Sequence, residues 1–372
     1  MCEVYGASGK GFDMEIWEID KNLKVESTVT EPDLVWFDIL EPPFAVYGVY
    51  FDKAQDRFVR MPADVAASVS EGVASLANKT AGGRVKFRTD SSYIAIKAEM
   101  DNSALMPHMP LTGQSGFDLY RKTEQGDIFF QTFVPPMGMK EGYSAGRTTD
   151  GNMYDYTINF PLYDRVKHLY IAFKRNAHLE AAAPYAHETP VVYYGSSITQ
   201  GGCASRPGNA YQAIISRRLD VDHINLGFSG CARGEQTMID YIASLDMSVF
   251  VSDYDHNAPT AAHLAATLPV LYKTVRAAHP DLPIVLVSAT DVQLKGNDAP
   301  WYGEYVDRLA IVRNVYEEGR AAGDKNVYFV SGTDLFAGEC WDACTVDGTH
   351  PNDLGFYRMA MGLEKVIAPL LK

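Results

Sequence analysis

Ser197 lies in the segment Gly195-Ser196-Ser197-Ile198-Thr199-Gln200-Gly201-Gly202, directly after the apolar run Val191-Val192-Tyr193-Tyr194. A hydroxyl on the turn that leaves a strand is well placed to act as a nucleophile, because its side chain and backbone N–H face the same space. The same loop would serve equally as an inert turn or a phosphate cradle. Far downstream, Asp347-Gly348-Thr349-His350-Pro351-Asn352-Asp353 precedes a helical pattern. A serine hydroxyl needs a base to take its proton, and histidine is the usual one. Asp347, in the same loop as His350, can bond the far ring nitrogen and fix the productive tautomer. Asp353 stands where the helix begins and is expected to cap it.

Two further segments follow strand-like runs: Asn225-Leu226-Gly227-Phe228-Ser229-Gly230 and Asp253-Tyr254-Asp255-His256-Asn257-Ala258-Pro259. Asn257 offers a neutral amide donor and Gly230 an N–H that no side chain obstructs. Such donors could surround a developing oxyanion, although each residue alone reads as ordinary loop chemistry.

The elements that must position these groups are legible in outline. From Val191 onward, short apolar runs alternate with helical patterns, as βαβ units do. The expected strands are Val191–Tyr194, His223–Leu226, Val249–Asp253, Ile284–Ser288 and Val327–Val330. Leu264, Leu268, Leu271 and Val275 mark one helix face, with Pro269 expected to kink it. Tyr305, Leu309, Val312 and Tyr316 mark another, and Phe356, Met359, Leu363, Val366 and Leu370 a closing one. Before residue 180 the runs are short and separated by turn residues: Leu34–Ile39, Tyr47–Phe51, Arg84–Phe87, Tyr93–Ala98, Ile128–Val134, Tyr154–Ile158 and Leu169–Phe173. They predict an antiparallel, jelly-roll-like β-sandwich, with Ala63–Leu76 as its single helix. The division is therefore a β-sandwich domain over 1–180 and an α/β domain over 181–372.

Taken together, the Ser197, Gly230, Asn257 and Asp347-x-x-His350 blocks resemble the SGNH hydrolase family, the GDSL-type esterases and lipases. The resemblance runs from Val191 to the C-terminus. It implies an α/β fold, a flavodoxin-like three-layer domain with a parallel sheet. It also implies Ser197 as nucleophile, His350 as general base and then acid, and Asp347 as its orienter. Ser197 N–H, Gly230 N–H and the Asn257 amide would form the oxyanion hole. Ser196 stands where the usual block has Asp, Ala258 where an Asp often follows the asparagine, and His256 where a glycine often precedes it. These departures point to a subgroup with a Gly-Ser-Ser-Ile-Thr-Gln-Gly block. In the other half, Gly116-Phe117-Asp118-Leu119-Tyr120 resembles the Gly-x-Asp-Leu-Tyr motif of the β-rich domain preceding such esterases.

The remaining composition limits the partners. The 372-residue chain carries a formal charge of -14, which disfavours nucleic acid. No apolar stretch reaches membrane-spanning length. The first residues lack a secretory signal, so a cytoplasmic location is expected if Met1 is the natural start. The five cysteines are an odd set, so free thiols are expected. Cys203 and Cys231 each follow an active-site loop and could come close in space. Zinc on Cys340, Cys344 and His350 is a weaker reading than none, since the spacing is loose and His350 has another role. No cofactor is expected. Arg206 and Trp341 are candidate substrate contacts, with Tyr211 a further lining residue. The expected substrate is a small-molecule or oligosaccharide ester, with O-acetyl carbohydrate first. Short-chain lipid esters, phospholipid acetyl groups and thioesters are the alternatives. A non-catalytic carbohydrate-binding protein is the alternative of another class. Homo-oligomerisation stays open, and the sandwich could bind carbohydrate or cover the cleft.

Overall fold

The computed structural model describes residues 16–25, 28–101, 105–291 and 302–371. Its second half is built on a five-stranded parallel sheet in the order Val221–Gly227, His187–Gly195, Val249–Asp253, Ile284–Val287 and Val327–Val330. Numbered along the chain this is 2-1-3-4-5, the flavodoxin-like order, in which ligands bind where the order reverses, beside the first strand. Both faces of the sheet are covered, so the segments Val191–Tyr194, Val249–Val251 and Ile284–Val287 are continuous apolar runs. Val192 and Tyr194 join one core with Leu264, Leu268 and Val312, whereas Val191 and Tyr193 join the other with Ile215, Phe356 and Leu363. Helices Gln236–Ala243, Ala261–Ala278 and Tyr302–Ala321 supply the first core, and Tyr211–Leu219 and Asp353–Ile367 the second. The helix from Ala261 runs through Pro269 without a break.

The first half is a sandwich of two antiparallel sheets. One has the order Leu34–Asp38, Arg165–Lys174, Tyr93–Asp101 and Gly142–Thr148. The other runs Leu179–Glu180, Arg84–Thr89, Tyr154–Asn159, Phe117–Thr123 and Gly126–Phe133, with Ala45–Tyr47 also paired to Arg84–Thr89. Val85, Ile158 and Leu119 lie side by side across three strands of one sheet and pack against Ile96 and Ile171, paired in the other. Alternation of this kind drives the two inner faces together.

Three expectations need revision. Tyr47–Phe51 is not one strand: Ala45–Tyr47 and Tyr50–Asp52 flank Gly48 at φ +71, where a Cβ would meet the Gly82 carbonyl oxygen at 2.2 Å. Ala63–Leu76 is two helices, Ala63–Val69 and Glu71–Ala77, divided at Ser70. Ser70 is extended, and its hydroxyl accepts the Val73 N–H as a cap. Strands Phe117–Thr123 and Gly142–Thr148 join those expected. The helical pair does not stay with the sandwich, since Ala66, Val73 and Ala77 are buried in the α/β core beside Met238 and Ile239.

Candidate active site

The strand His187–Gly195 delivers the chain to the site through a tight turn. A Cβ on Gly195 would lie 2.0 Å from Thr199 Oγ1 and 2.3 Å from the Asp253 carbonyl oxygen, so only glycine allows the approach. Ser196, where the family block has Asp, takes over an N-cap role: its hydroxyl accepts the Ile198 N–H at 3.1 Å. Ser197 is thus the first residue of the short helix Ser197–Gln200, where the backbone N–H has no partner within the helix.

His350 comes from a loop that folds back on itself. Thr345 pairs with Pro351, and Val346 N–H donates to the His350 carbonyl. Asn352, rather than Asp353, caps the closing helix, its Oδ1 accepting the Leu354 and Gly355 N–H groups. Asp353 instead reaches across to accept the Ser205 N–H at 2.9 Å and the Ser205 hydroxyl. The misassignment is understandable, because two good capping residues are adjacent, and the one with the extended backbone caps.

These loops bring three expected residues together. Ser197 Oγ is 2.8 Å from His350 Nε2, and His350 Nδ1 is 2.7 Å from Asp347 Oδ2. The other Asp347 oxygen accepts the backbone N–H of His350 at 2.8 Å and of Thr349 at 3.0 Å. Partial burial pushes the Asp347 carboxyl up, but these donors outweigh it and hold the group down at about 2. The carboxylate is therefore ionised across the neutral range, and its two oxygens fix both the ring and the loop.

On the opposite side, Phe228 N–H donates to the Gly195 carbonyl, and Gln200 Oε1 accepts the Ser229 N–H at 3.1 Å. Gly230 follows at φ +70, with open space where a Cβ would be. The Asn257 amide donates to the Phe228 carbonyl at 2.9 Å, which leaves its second hydrogen available. Beneath Ser197, Asp253 is fully buried and faces Thr199 Oγ1 at 3.2 Å and Tyr211 OH at 3.4 Å. Burial first, then Asp255 nearby, pushes its carboxyl up to about 7. Tyr211 is a core residue of this network and does not line the cleft.

Arg206 is not placed for a substrate. Its guanidinium bonds Asp118 at 3.0 Å and Tyr120 OH, and lies 3.9 Å above the Phe129 ring. This gives the Gly-x-Asp-Leu-Tyr segment a physical account. Gly116 allows a close approach to the Thr112 carbonyl, Leu119 fills the sandwich core, and Tyr120 lies beneath the guanidinium groups of Arg206 and Arg217. Asp118, fully buried, accepts from Arg206, the Gly208 N–H and the Asn159 amide. Burial raises its carboxyl against the pull of Arg206.

Trp341 is exposed on the short turn Trp341–Ala343. Cys203, Cys231, Cys340 and Cys344 are free. Cys231 packs over Gly72, whereas Cys203 lies with His108 and His350, the ligand-capable atoms of the three within 4.8 Å of one another. Among the described residues this is the one His/Cys/Asp/Glu group with metal-ligand spacing, and it does not include Cys340 or Cys344. His108 was missed in the sequence because a lone histidine in a loop of the other domain carries no local signal. Tyr163 was missed for the same reason; its hydroxyl donates to the Ser197 carbonyl at 3.3 Å.

Among the described residues no helix is long and apolar enough to cross a membrane. Residues 188–368 match the GDSL-like lipase/acylhydrolase family, and residues 34–179 match the GxDLY N-terminus of SGNH hydrolase-type esterases. No curated protein matches the sequence. Among solved structures, a protein from Bacteroides ovatus described as a GDSL-like lipase is 27% identical with a TM-score of 0.80, covering 91% of this chain and 98% of that one. A salicylyl-acyltransferase from a tetracycline biosynthetic pathway is 20% identical with a TM-score of 0.74 and the same coverage. A family two carbohydrate esterase from Clostridium thermocellum, solved with cellohexaose, is 14% identical with a TM-score of 0.57, covering 88% and 98%. The last two likenesses speak to fold alone. Both halves are matched in order, and a GDSL-like structure aligns over nearly its full length: residues 188–368 belong to the GDSL-like lipase/acylhydrolase family, and residues 34–179 are the GxDLY N-terminus of an SGNH hydrolase-type esterase.

Proposed function

We propose that the protein is a serine esterase that removes short acyl groups, O-acetyl first, from carbohydrates. The observation that carries this reading is the unbroken line from Ser197 Oγ through the His350 ring to Asp347. His350 Nε2 takes the hydroxyl proton as Ser197 attacks the ester carbonyl, and the ring then returns it to the leaving alcohol. Water repeats the sequence and frees the acid. The N–H groups of Ser197 and Gly230 and the free Asn257 hydrogen receive the developing oxyanion. Likeness to the cellohexaose-bound esterase, and to an acetyl xylan esterase from Butyrivibrio proteoclasticus at 13% identity and TM-score 0.54, supports carbohydrate esters as the substrate class.

The test is release of p-nitrophenol from p-nitrophenyl acetate by wild type and Ser197→Ala. A fall on the order of 10⁶-fold is expected, and retained turnover would end the proposal. A panel of acetylated xylan and mannan oligosaccharides, followed by NMR, should then identify the hydroxyl that loses its acetyl group. Likeness to the salicylyl-acyltransferase favours a second reading, in which an alcohol takes the acyl group in place of water. Adding acceptor alcohols and weighing ester product against free acid separates the two.

A further inference from the structure

The sandwich sends one loop over the catalytic histidine. Met106 N–H donates to Gln114 Oε1, Met109 N–H donates to the Met106 carbonyl, and Met109 is buried in the α/β core. Thr112 ties the same segment to the Ser205 carbonyl at 2.6 Å. His108 is held between these anchors, its ring centroid 5.6 Å from that of His350. Below the pair, Cys203 is almost wholly buried. Its backbone is at φ +74, in the left-handed region that disfavours a residue with a Cβ. Two imidazoles and a thiol from three separate segments therefore converge, their ligand atoms within 4.8 Å of one another.

Two histidines and a cysteine with a vacant fourth position are a donor set that zinc accepts. His350 also has the orienting partner that zinc-binding histidines commonly have, since Asp347 occupies Nδ1 and leaves Nε2 for a ligand. We propose that His108, Cys203 and His350 Nε2 form a site for Zn2+, or a divalent cation of the same thiophilic class, and that the bound ion reversibly switches the serine off. With Zn–N near 2.0–2.1 Å and Zn–S near 2.3 Å, the three donors need to close by roughly 1 Å. The fourth position falls to Ser197 Oγ, already 2.8 Å from Nε2, or to water.

The ion occupies the lone pair that must accept the serine proton, so general-base catalysis stops while it is bound. Cys203 ligates as thiolate and releases its proton to solvent. Binding itself does not depend on the esterase reading; its consequence as inhibition does.

The experiment uses the full-length protein stripped with a chelator. Co2+ should give a thiolate-to-cobalt charge-transfer band, and Zn2+ should displace it. Turnover of p-nitrophenyl acetate should fall in step with zinc occupancy and recover with EDTA. His108→Ala and Cys203→Ser, each measured against its own zinc-free rate, should need at least about tenfold more zinc for half-inhibition. Cys203→Ser should also lose the band. Ser197→Ala, although inactive, should keep it, which separates metal binding from catalysis. Absence of the band in wild type, or zinc inhibition unchanged in both ligand variants, would overturn the proposal. A band in a wild type without esterase activity would leave the metal site standing and remove only the function assigned to the serine.

Discussion

The sandwich and the α/β domain both bury charge, but in different surroundings. The sandwich's buried ions face across the boundary and are richly hydrogen-bonded. Arg60 donates to the carbonyls of Leu76, Asn225 and Gly227 and lies 4.6 Å over the Phe228 ring. Arg84 pairs with Asp222 and with Tyr185 OH, and Asp118 pairs with Arg206. The α/β domain's buried carboxyls, Asp253 and Asp255, instead lie beneath the loops that carry Ser197 and Asn257, and burial raises both, as it does Asp118. Charge in the first region fastens one domain to the other. In the second it shapes the floor of the site.

Four substitutions can break or sharpen that contrast. Asp347→Asn keeps the shape of the catalytic loop but favours the wrong histidine tautomer, and kcat should fall by roughly 10⁴-fold with little change in folding. Asp118→Ala removes the acceptor shared by Arg206, Gly208 and Asn159, and should cost about 3–5 kcal/mol in chemical denaturation. A loss there without a matching loss of kcat per folded molecule would place Asp118 wholly on the fastening side. Asn257→Ala should lower kcat by about 10²- to 10³-fold while KM changes less.

Asp253→Asn tests the floor of the site through pH. The folded carboxyl titrates at about 7, whereas an unfolded aspartate titrates near ~3.9. Between those values the folded protein holds a proton that the unfolded chain has released, so wild-type stability should decline from about pH 4 to 7 and level off above. Asparagine removes that slope. The variant's Tm advantage should therefore be largest above pH 7 and vanish near pH 4, and a pH-independent difference would remove Asp253 from this role.

The meeting of Ser197, His350 and Asp347 was legible because chemistry-bearing residue types sit at a strand end and ahead of the closing helix. The strand 142–148 was not, since Gly142, Ser144 and Gly146, all weak strand formers, fill the positions alternating with Tyr143 and Ala145. Arg206 looked like a substrate ligand because its partner Asp118 lies in the other domain, 88 residues away. His108 gave no signal for the same reason. Pairings of this kind depend on docking, and docking is decided by long-range burial that no local window contains. The Ser196 substitution is the reverse case, where a departure from the family block became intelligible once its hydroxyl was seen to cap the nucleophile helix.

The Arg60 contacts bear on modularity. Its guanidinium sits in a seat of carbonyls from Asn225 and Gly227, one residue either side of the Leu226 backbone, under the loop that leads to Gly230. The helical pair beside it completes the core behind the sheet. An α/β half expressed alone would carry an empty cationic socket and an uncovered apolar face directly behind its Gly230 loop. The two halves are therefore not interchangeable beads on a string. Exchanging the sandwich for another binding module would require the recipient to bring its own arginine and its own helices.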